Sequence, residues 1–150
     1  MSGSSSDAPP AISPTFSFPI RVYWEDTDAG GVVYHASYLR FLERGRTEWV
    51  RAMGISQHDL RATEDFVMAV RAMQLDFLAP ARLDDELRVT VVMQERRAAS
   101  FIVSQELFRG GECLVRARVR IASLRASTFK PCPLPGWMAT GPVPAAPTTE

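Results

Sequence analysis

Three carboxylates, those of Glu25, Asp26 and Asp28, lie within four residues of one another. Two consecutive glycines follow and tighten the turn, and a helical pattern begins at His35. The first N–H groups of a helix have no intrahelical partner and carry a partial positive charge, so they hold anions or polarise a carbonyl oxygen. A carboxylate near such an end can act as a general base or as a nucleophile. The segment therefore has the two parts that acyl transfer needs, an attacking group and a group that stabilises the oxyanion.

Other chemistry fits this segment less well. If Asp26 opens a calcium loop, the twelfth position is Ser37, which lacks the required bidentate Glu. The sequence has no H-E-x-x-H, paired-cysteine or G-x-S-x-G motif, so we expect no metal and no α/β-hydrolase triad. A turn role remains the interpretation for Glu25 and Asp26, because Asp favours turns. His58, in a short polar segment, is expected at the surface.

One long helix is predicted after this segment, from His35 to Met53. Gly54 is suited to end it, and Ser56 could cap one further short helical turn. Gly45 costs about 1 kcal/mol relative to Ala in mid-helix, which a close approach between helix and sheet would offset. The apolar stripe recurs at three- and four-residue spacing and comprises Tyr38, Leu39, Leu42, Gly45, Trp49, Val50 and Met53.

Most of the remaining chain alternates with period two, as strands do. Residues 18–24 are aromatic and β-branched and predict a first strand. In the run at residues 66–77, strict alternation places Met68 and Met73 on opposite faces. One helix among consecutive antiparallel strands indicates an α+β fold, with the sheet curled around the helix. The other runs are residues 66–77, 87–93, 101–107 and 113–121.

The composition indicates one globular domain. The chain has 150 residues and no net charge, with 17 basic and 17 acidic side chains, so a nucleic-acid partner is not expected. Its two cysteines favour free thiols in a reducing compartment. The start lacks a secretory signal, and no apolar run approaches the ~18 residues of a membrane helix. We expect a cytoplasmic protein with a folded domain at 16–138 and disordered tails at 1–15 and 139–150.

The stretch from Tyr23 to Trp49 resembles the signature of hotdog-fold acyl-CoA thioesterases, and reads YWEDTDAGGVVYHASYLRFLERGRTEW. It is most similar to the bacterial branch associated with the Tol–Pal envelope system, related to 4-hydroxybenzoyl-CoA thioesterase. The likeness continues through residues 79–85 and ends near 130–135. It implies one central helix wrapped by an antiparallel sheet of five or six strands, and active sites at the interface of paired subunits.

The resemblance also implies roles for single residues. Asp28 matches the catalytic Asp of the family, and His35 stands at the helix start, where a backbone amide polarises the thioester carbonyl. Position 24 is Trp where Tyr is common in this branch, which puts a role for a hydroxyl there in doubt. The expected substrate contacts are Trp24, Gly31, Val32, Tyr34 and Ala36.

We therefore expect hydrolysis of an acyl-CoA, or of an acyl group on acyl carrier protein, to a free acid and a thiol. Coenzyme A is part of the substrate and no cofactor is needed. Asp28 is either a nucleophile that forms a mixed anhydride or a general base, and both roles stay open. The alternatives are a dehydratase of hydroxyacyl thioesters on the same fold and a non-catalytic acyl-thioester or partner-binding module.

Two further expectations concern surfaces. Pairing of exposed sheet edges favours a homo-oligomer, and we expect a tetramer built as a dimer of dimers. Arg116, Arg118 and Arg120 alternate with apolar residues, which strand geometry explains as a solvated face. Contact with the phosphates of coenzyme A is the alternative for this row.

Overall fold

The computed structural model describes residues 15–139, in which a five-stranded antiparallel sheet packs one face against a long helix. The tails expected at 1–15 and 139–150 lie almost wholly outside the described residues. This architecture confirms the expected α+β fold. The strands are Phe16–Arg21 (β1), Phe66–Phe77 (β2), Glu86–Arg96 (β3), Ser100–Arg109 (β4) and Glu112–Arg125 (β5). The helices are Ser37–Ala52 (α1), Gln57–Glu64 (α2) and Gly136–Ala139 (α3).

The strands lie in the order β1-β3-β4-β5-β2, and every neighbouring pair is antiparallel. The predicted alternation is confirmed in β3, in β4 and in β5 from Val115 onward, where every second side chain points into the core against α1. It is wrong at Cys113, because the pairing of β5 with β4 shifts at Leu114, an extra residue that turns Cys113 to the face opposite Val115. The order leaves β1 and β2 as the two edges of the sheet. The core-facing residues of the three inner strands include Leu87, Val89, Val91, Phe101, Val103, Leu107, Val115, Val119 and Ile121.

The predicted alternation in β2 is wrong across its middle. The pairing with β5 shifts between Val70 and Ala72, where β2 carries an extra residue. A bulge of this kind reverses the faces of all later side chains, because the side-chain period of a strand is two. Met68 and Met73 therefore pack on the same side, against the core.

The first strand also differs from its prediction, because it ends at Arg21 and not at Trp24. Val22 is buried and donates its N–H to Asp85 O over 2.9 Å, outside the strand ladder. Residues Trp24–Asp26 then form a short 3-10 turn. The apolar character of residues 22–24 reflects burial of one residue and exposure of the next two, not continued pairing.

The long helix begins two residues later than predicted and ends one residue earlier. Its buried side is the predicted stripe with Phe41 added, whereas Leu39 and Met53 are exposed. Gly54 follows with φ of +82°, as its predicted role at the helix end requires. Ser56 caps α2 by accepting the Asp59 N–H, and α2 is longer than the single turn expected.

The helix meets the sheet at Gly45. A Cβ on this residue would lie 2.9 Å from both methyl carbons of Val89 and 3.3 Å from Gln105 Nε2. Gln105 is fully buried, donates to Leu42 O over 3.0 Å and accepts from Arg46 Nη1 over 3.0 Å. The predicted close approach of helix and sheet is confirmed, and one buried amide joins the two.

The face of the sheet away from α1 carries the arginine row of β5. Arg116 forms an ion pair with Glu106 at 3.0 Å, and Arg118 lies 3.9 Å from Glu95. These pairs agree with a solvated face. Within residues 15–139, no helix has the length and apolar character needed to cross a bilayer.

Candidate active site

The segment before α1 forms a very small hairpin. Thr27 and Val33 pair across it, and Asp28 N donates to Val32 O over 2.9 Å. At its tip, Gly31 N donates to Asp28 O over 3.0 Å. Gly31 has φ of +82°, a conformation that glycine adopts without a steric penalty. The glycine pair thus turns the chain back immediately after Asp28.

Asp28 is exposed, and its two carboxylate oxygens have different surroundings. Oδ1 accepts the Gly30 N–H over 2.8 Å. None of the described residues donates a hydrogen bond to Oδ2. One oxygen is therefore fixed by the hairpin, and the other is available to attack a carbonyl carbon or to accept a proton from water.

The start of α1 has no side-chain cap, because its N-cap residue is Ala36. The first amides of the helix bond back to the preceding turn: Ser37 N to Tyr34 O at 2.8 Å, and Leu39 N to Ala36 O at 3.2 Å. The N–H groups of His35 and Ala36 donate to no acceptor among residues 15–139. Two amide donors at the positive end of a helix are thus free for an external oxygen.

The orientation of one of these donors follows from peptide geometry. Tyr34 C=O and His35 N–H belong to one trans peptide unit, so they point in opposite directions. Since Tyr34 O accepts from Ser37 N, the His35 N–H points away from Ser37 and out of the helix. This direction is the one needed to polarise a bound carbonyl. The His35 ring is exposed and lies 4.5 Å from the Tyr34 ring, centroid to centroid.

Asp26 differs from the simple turn residue that the sequence suggested, because it is fully buried. Its Oδ2 accepts the Tyr23 N–H over 2.8 Å, and its main-chain oxygen accepts the Tyr34 N–H over 2.9 Å. Its Oδ1 is buried without a hydrogen bond and lies 3.7 Å from Arg40 Nη2. No sequence signal predicts this burial, since neither spacing nor composition distinguishes Asp26 from an exposed turn Asp.

A loop after β2 supports the hairpin from one side. Val32 pairs with Arg82, and Val33 N donates to Ala81 O over 2.9 Å. Asp85 closes this loop, because its Oδ2 accepts from Arg82 N at 2.8 Å and from Arg109 Nη1 at 2.7 Å. Burial raises the pKa of the Asp85 carboxyl, but these two partners outweigh burial and the net pKa lies below its ordinary value.

The remaining predicted contact residues surround this hairpin. Trp24 is 82% exposed on the 3-10 turn, Tyr34 is half exposed, and Val32 and Ala36 are partly buried. All seven residues singled out from the sequence belong to one stretch of 13 residues, from Trp24 to Ala36. Glu25 is exposed beside them. Among the described residues, no group of three or more His, Cys, Asp or Glu side chains is placed to hold a metal ion.

The candidate site lies at the surface, since Asp28, Tyr34 and His35 are exposed. A cavity of about 160 Å³ opens between α1 and β2, and it is lined by neither Asp28 nor His35. Its walls include Thr47, Val50 and Val70.

Comparison with known proteins gives consistent results. The family model of the thioesterase-like superfamily matches residues 22–141. The acyl-CoA thioesterase YbgC of Haemophilus influenzae is 42% identical over 120 residues, which cover 80% of this chain and 88% of that protein. A probable thioesterase from Bartonella henselae superposes with a TM-score of 0.78 at 38% identity, covering 81% of this chain and 100% of the other. The 1,4-dihydroxy-2-naphthoyl-CoA thioesterase from Synechocystis gives a TM-score of 0.76 at 27% identity, covering 83% and 92%.

Proposed function

The chain belongs to the thioesterase-like superfamily, and from this premise we propose that it is an acyl-CoA thioester hydrolase with Asp28 as its reacting carboxylate. The substrate is an acyl-CoA, with acyl carrier protein thioesters as a second class of the same chemistry. The products are a free acid and a thiol. Coenzyme A enters only as part of the substrate.

The proposed reaction uses the hairpin and the helix start together. The thioester oxygen accepts hydrogen bonds from the free amides of His35 and Ala36. Asp28 Oδ2 then attacks the carbonyl carbon, the C–S bond breaks and the thiolate departs. The acyl group is left as a mixed anhydride with Asp28, which water hydrolyses. In the alternative route, Asp28 takes a proton from a water that attacks the same carbon. Both routes build negative charge on the same oxygen, which the amides stabilise.

One observation carries this proposal: the uncapped start of α1, with two unpartnered amides, lies immediately after the Asp28 hairpin. A Ser, Thr, Asp or Asn at the N-cap position would accept the N–H of Tyr38 or Leu39 and stabilise the helix by about 1 kcal/mol. Ala36 gives up that stabilisation. Donors left free at the surface are then available to a ligand oxygen, as acyl transfer requires.

The direct test is thiol release from a panel of acyl-CoAs, with short and long aliphatic chains and aromatic acyl groups. Asp28→Asn should lower kcat by about a hundredfold or more, since the amide neither attacks nor accepts a proton. Glu25→Gln is the matched control, because it removes a neighbouring exposed carboxylate that makes no contact with the hairpin. Its kcat should stay at the wild-type value.

The outcome also distinguishes the alternative functions. A dehydratase leaves the thioester intact, so water loss from a hydroxyacyl-CoA without thiol release would replace the proposal. Tight acyl-CoA binding without turnover, unchanged by Asp28→Ala, would indicate a binding module. Equal thiol release by the Asp28→Asn and Glu25→Gln variants would remove Asp28 from the reaction.

The proposal extends to substrate contacts and assembly. The exposed side chain of Trp24 offers an aromatic surface to the acyl group, and Gly31, Val32, Tyr34 and Ala36 form the floor beside Asp28. A second subunit would cover the open side of this surface. The 12-residue edge strand β2 is available for edge-to-edge pairing, and a dimer of dimers follows if a second face also associates.

We place the protein in the cytoplasm, in keeping with its two free cysteines.

A further inference from the structure

Asp26 is the one fully buried carboxylate among the described residues, and the proposed reaction does not use it. A buried ionisable group is costly unless it is paired and hydrogen-bonded, and Oδ1 here has no hydrogen bond at all. A buried carboxylate of this kind is retained where its contacts hold the surrounding chain strongly enough to outweigh the free-energy cost of burial. The contacts of Asp26 indicate what that task is.

We propose that Asp26 is a positioning residue, which holds the chain before α1 so that the His35 N–H points at the thioester oxygen. The inference rests on the proposed function. Asp26 makes one bond backward and one bond forward: Oδ2 accepts from Tyr23 N, and the main-chain oxygen accepts from Tyr34 N. Tyr34 is the residue whose carbonyl shares a peptide unit with the His35 amide. The turn at residues 23–26 and the entry to α1 are therefore locked to each other through one residue.

Arg40 completes the arrangement from the first turn of α1. Its Nη2 donates to Ser37 Oγ over 3.0 Å and lies 3.7 Å from Asp26 Oδ1. Ser37 is buried, while the Arg40 side chain is half exposed. The cation thus faces the unbonded oxygen from the helix side, and the carboxylate is held between the Tyr23 amide and a charge fixed on α1. Both carboxylate oxygens favour the same placement of the turn.

An amide at this position would disturb the arrangement without changing its size. Asn places N–H donors where an oxygen now stands, against either the Tyr23 N–H or the Arg40 guanidinium. The turn should shift, and the Tyr34 N–H with it. A misplacement of about 1 Å at a reacting group can lower the rate about a hundredfold, so even a partial shift should reduce kcat.

The experiment compares Asp26→Asn and Asp26→Ala with Asp65→Ala in the full chain. Asp65 is the matched control, because its carboxylate also holds a loop, through Ser127 N at 2.8 Å and Ser127 Oγ at 2.7 Å, outside the candidate site. Both Asp26 variants should lower kcat about tenfold or more with KM changed less than about threefold, the sign of an interaction made in the transition state. Asp65→Ala should lower the melting temperature and leave kcat unchanged.

Hydrogen exchange supplies a measurement that does not need activity. In the wild-type protein the Tyr34 amide should be protected, and in both Asp26 variants it should exchange about tenfold faster or more, while Asp65→Ala leaves it unchanged. If the wild type hydrolyses no thioester, the proposed function fails and this exchange rate still decides whether Asp26 holds the segment. Unchanged Tyr34 exchange and unchanged kcat in Asp26→Ala would overturn the inference. A loss of activity in Asp26→Ala that only matched its unfolded fraction would overturn it as well. If Asp26→Ala does not fold, Asp26→Asn and the exposed-site variant Arg40→Gln decide by the same readouts.

Discussion

Gly30 donates its N–H to Asp28 Oδ1 over 2.8 Å, and a Cβ on Gly30 would lie 3.2 Å from that same oxygen. The glycine thus both fixes the carboxylate and leaves it the room it occupies. A contact of 3.2 Å is tighter than a normal Cβ contact, so any side chain here would displace the carboxylate by a few tenths of an ångström.

Gly30→Ala should therefore impair catalysis more than folding. We expect kcat to fall about tenfold, because small displacements of a reacting group have large effects on rate. Gly111→Ala in the β4–β5 turn is the control, since none of the described residues lies within 4 Å of its added Cβ. Steady-state thiol release and thermal melting of both variants check the prediction. Equal kcat in the two variants would show that the Asp28 carboxylate tolerates the shift.

Gly45→Ala should destabilise the protein although Ala is the better helix former. Helix propensity favours Ala by about 1 kcal/mol. Overpacking against the Val89 methyl groups, only 2.9 Å away, costs typically about 1–3 kcal/mol and should win. Urea unfolding of Gly45→Ala, Val89→Ala and the double variant measures the coupling between the two sites. The double variant should be more stable than the sum of the single changes predicts. Additive effects would show that contact with Val89 is not what destabilises Gly45→Ala.

Asp85 should make stability depend on pH in the acid range. Burial raises the pKa of Asp85, but the Arg82 amide and the Arg109 guanidinium lower it by more than burial raises it. The folded-state pKa therefore lies below the ordinary value of 3.8. A depressed folded-state pKa stabilises the protein above the unfolded-state pKa of about 3.9, and the stabilisation disappears as pH falls through the folded-state value. Asp85→Asn should therefore cost about 1.5 kcal/mol at pH 7, the lower end for a hydrogen bond to a charged group.

The measurement is the free energy of unfolding of wild type and Asp85→Asn from neutral pH down through the acid range. The difference between them should be largest at neutral pH, begin to shrink as pH falls below the unfolded-state pKa of about 3.9, and be lost below the folded-state pKa. Asp84→Asn is the control, since this neighbour is exposed and Asn accepts its positive φ. A difference that stays constant with pH would mean that the charge of Asp85 is not what closes the loop.

We expect two subunits to pair along the edge strand β2. Val70 is 48% exposed on this edge, and Val70→Lys places a charge there, a feature that opposes edge-to-edge pairing. Light scattering should show a smaller species for Val70→Lys than for wild type. Ser17→Lys on the opposite edge strand, β1, should leave the mass unchanged. A wild-type monomer at micromolar concentration would rule out the assembly.

Periodicity predicted those parts of the fold in which burial alone decides the structure. The inner strands and the buried stripe of α1 follow from apolar spacing, and the approach at Gly45 follows from the cost of a mid-helix glycine. The errors lie where local hydrogen bonding decides. The strand predicted to reach Trp24 stops at Arg21, because the Asp26 carboxylate takes the Tyr23 N–H and coils the chain. The bulge between Val70 and Ala72 adds Arg71 to the strand, and apolar spacing alone does not locate that extra residue.

The candidate site was predictable to a similar degree. The composition of the turn and the helix start behind it indicated three candidate carboxylates, and the family resemblance singled out Asp28 and His35. The fixed Oδ1, the direction of the His35 amide and the burial of Asp26 depend on dihedral angles and on the loop at residues 78–85. That loop lies about fifty residues further along the chain, and no local pattern connects it to the hairpin.

The buried amide of Gln105 sets how α1 can move. Sliding or rotating the helix by one residue would leave that amide facing no carbonyl, a loss of about 1–3 kcal/mol for an unsatisfied buried group. Sliding of the helix along its axis is thereby restrained. The two free amides of His35 and Ala36 are then held at a fixed position relative to the sheet, so under the proposed mechanism the residues around the acyl group can change without moving the oxyanion donors.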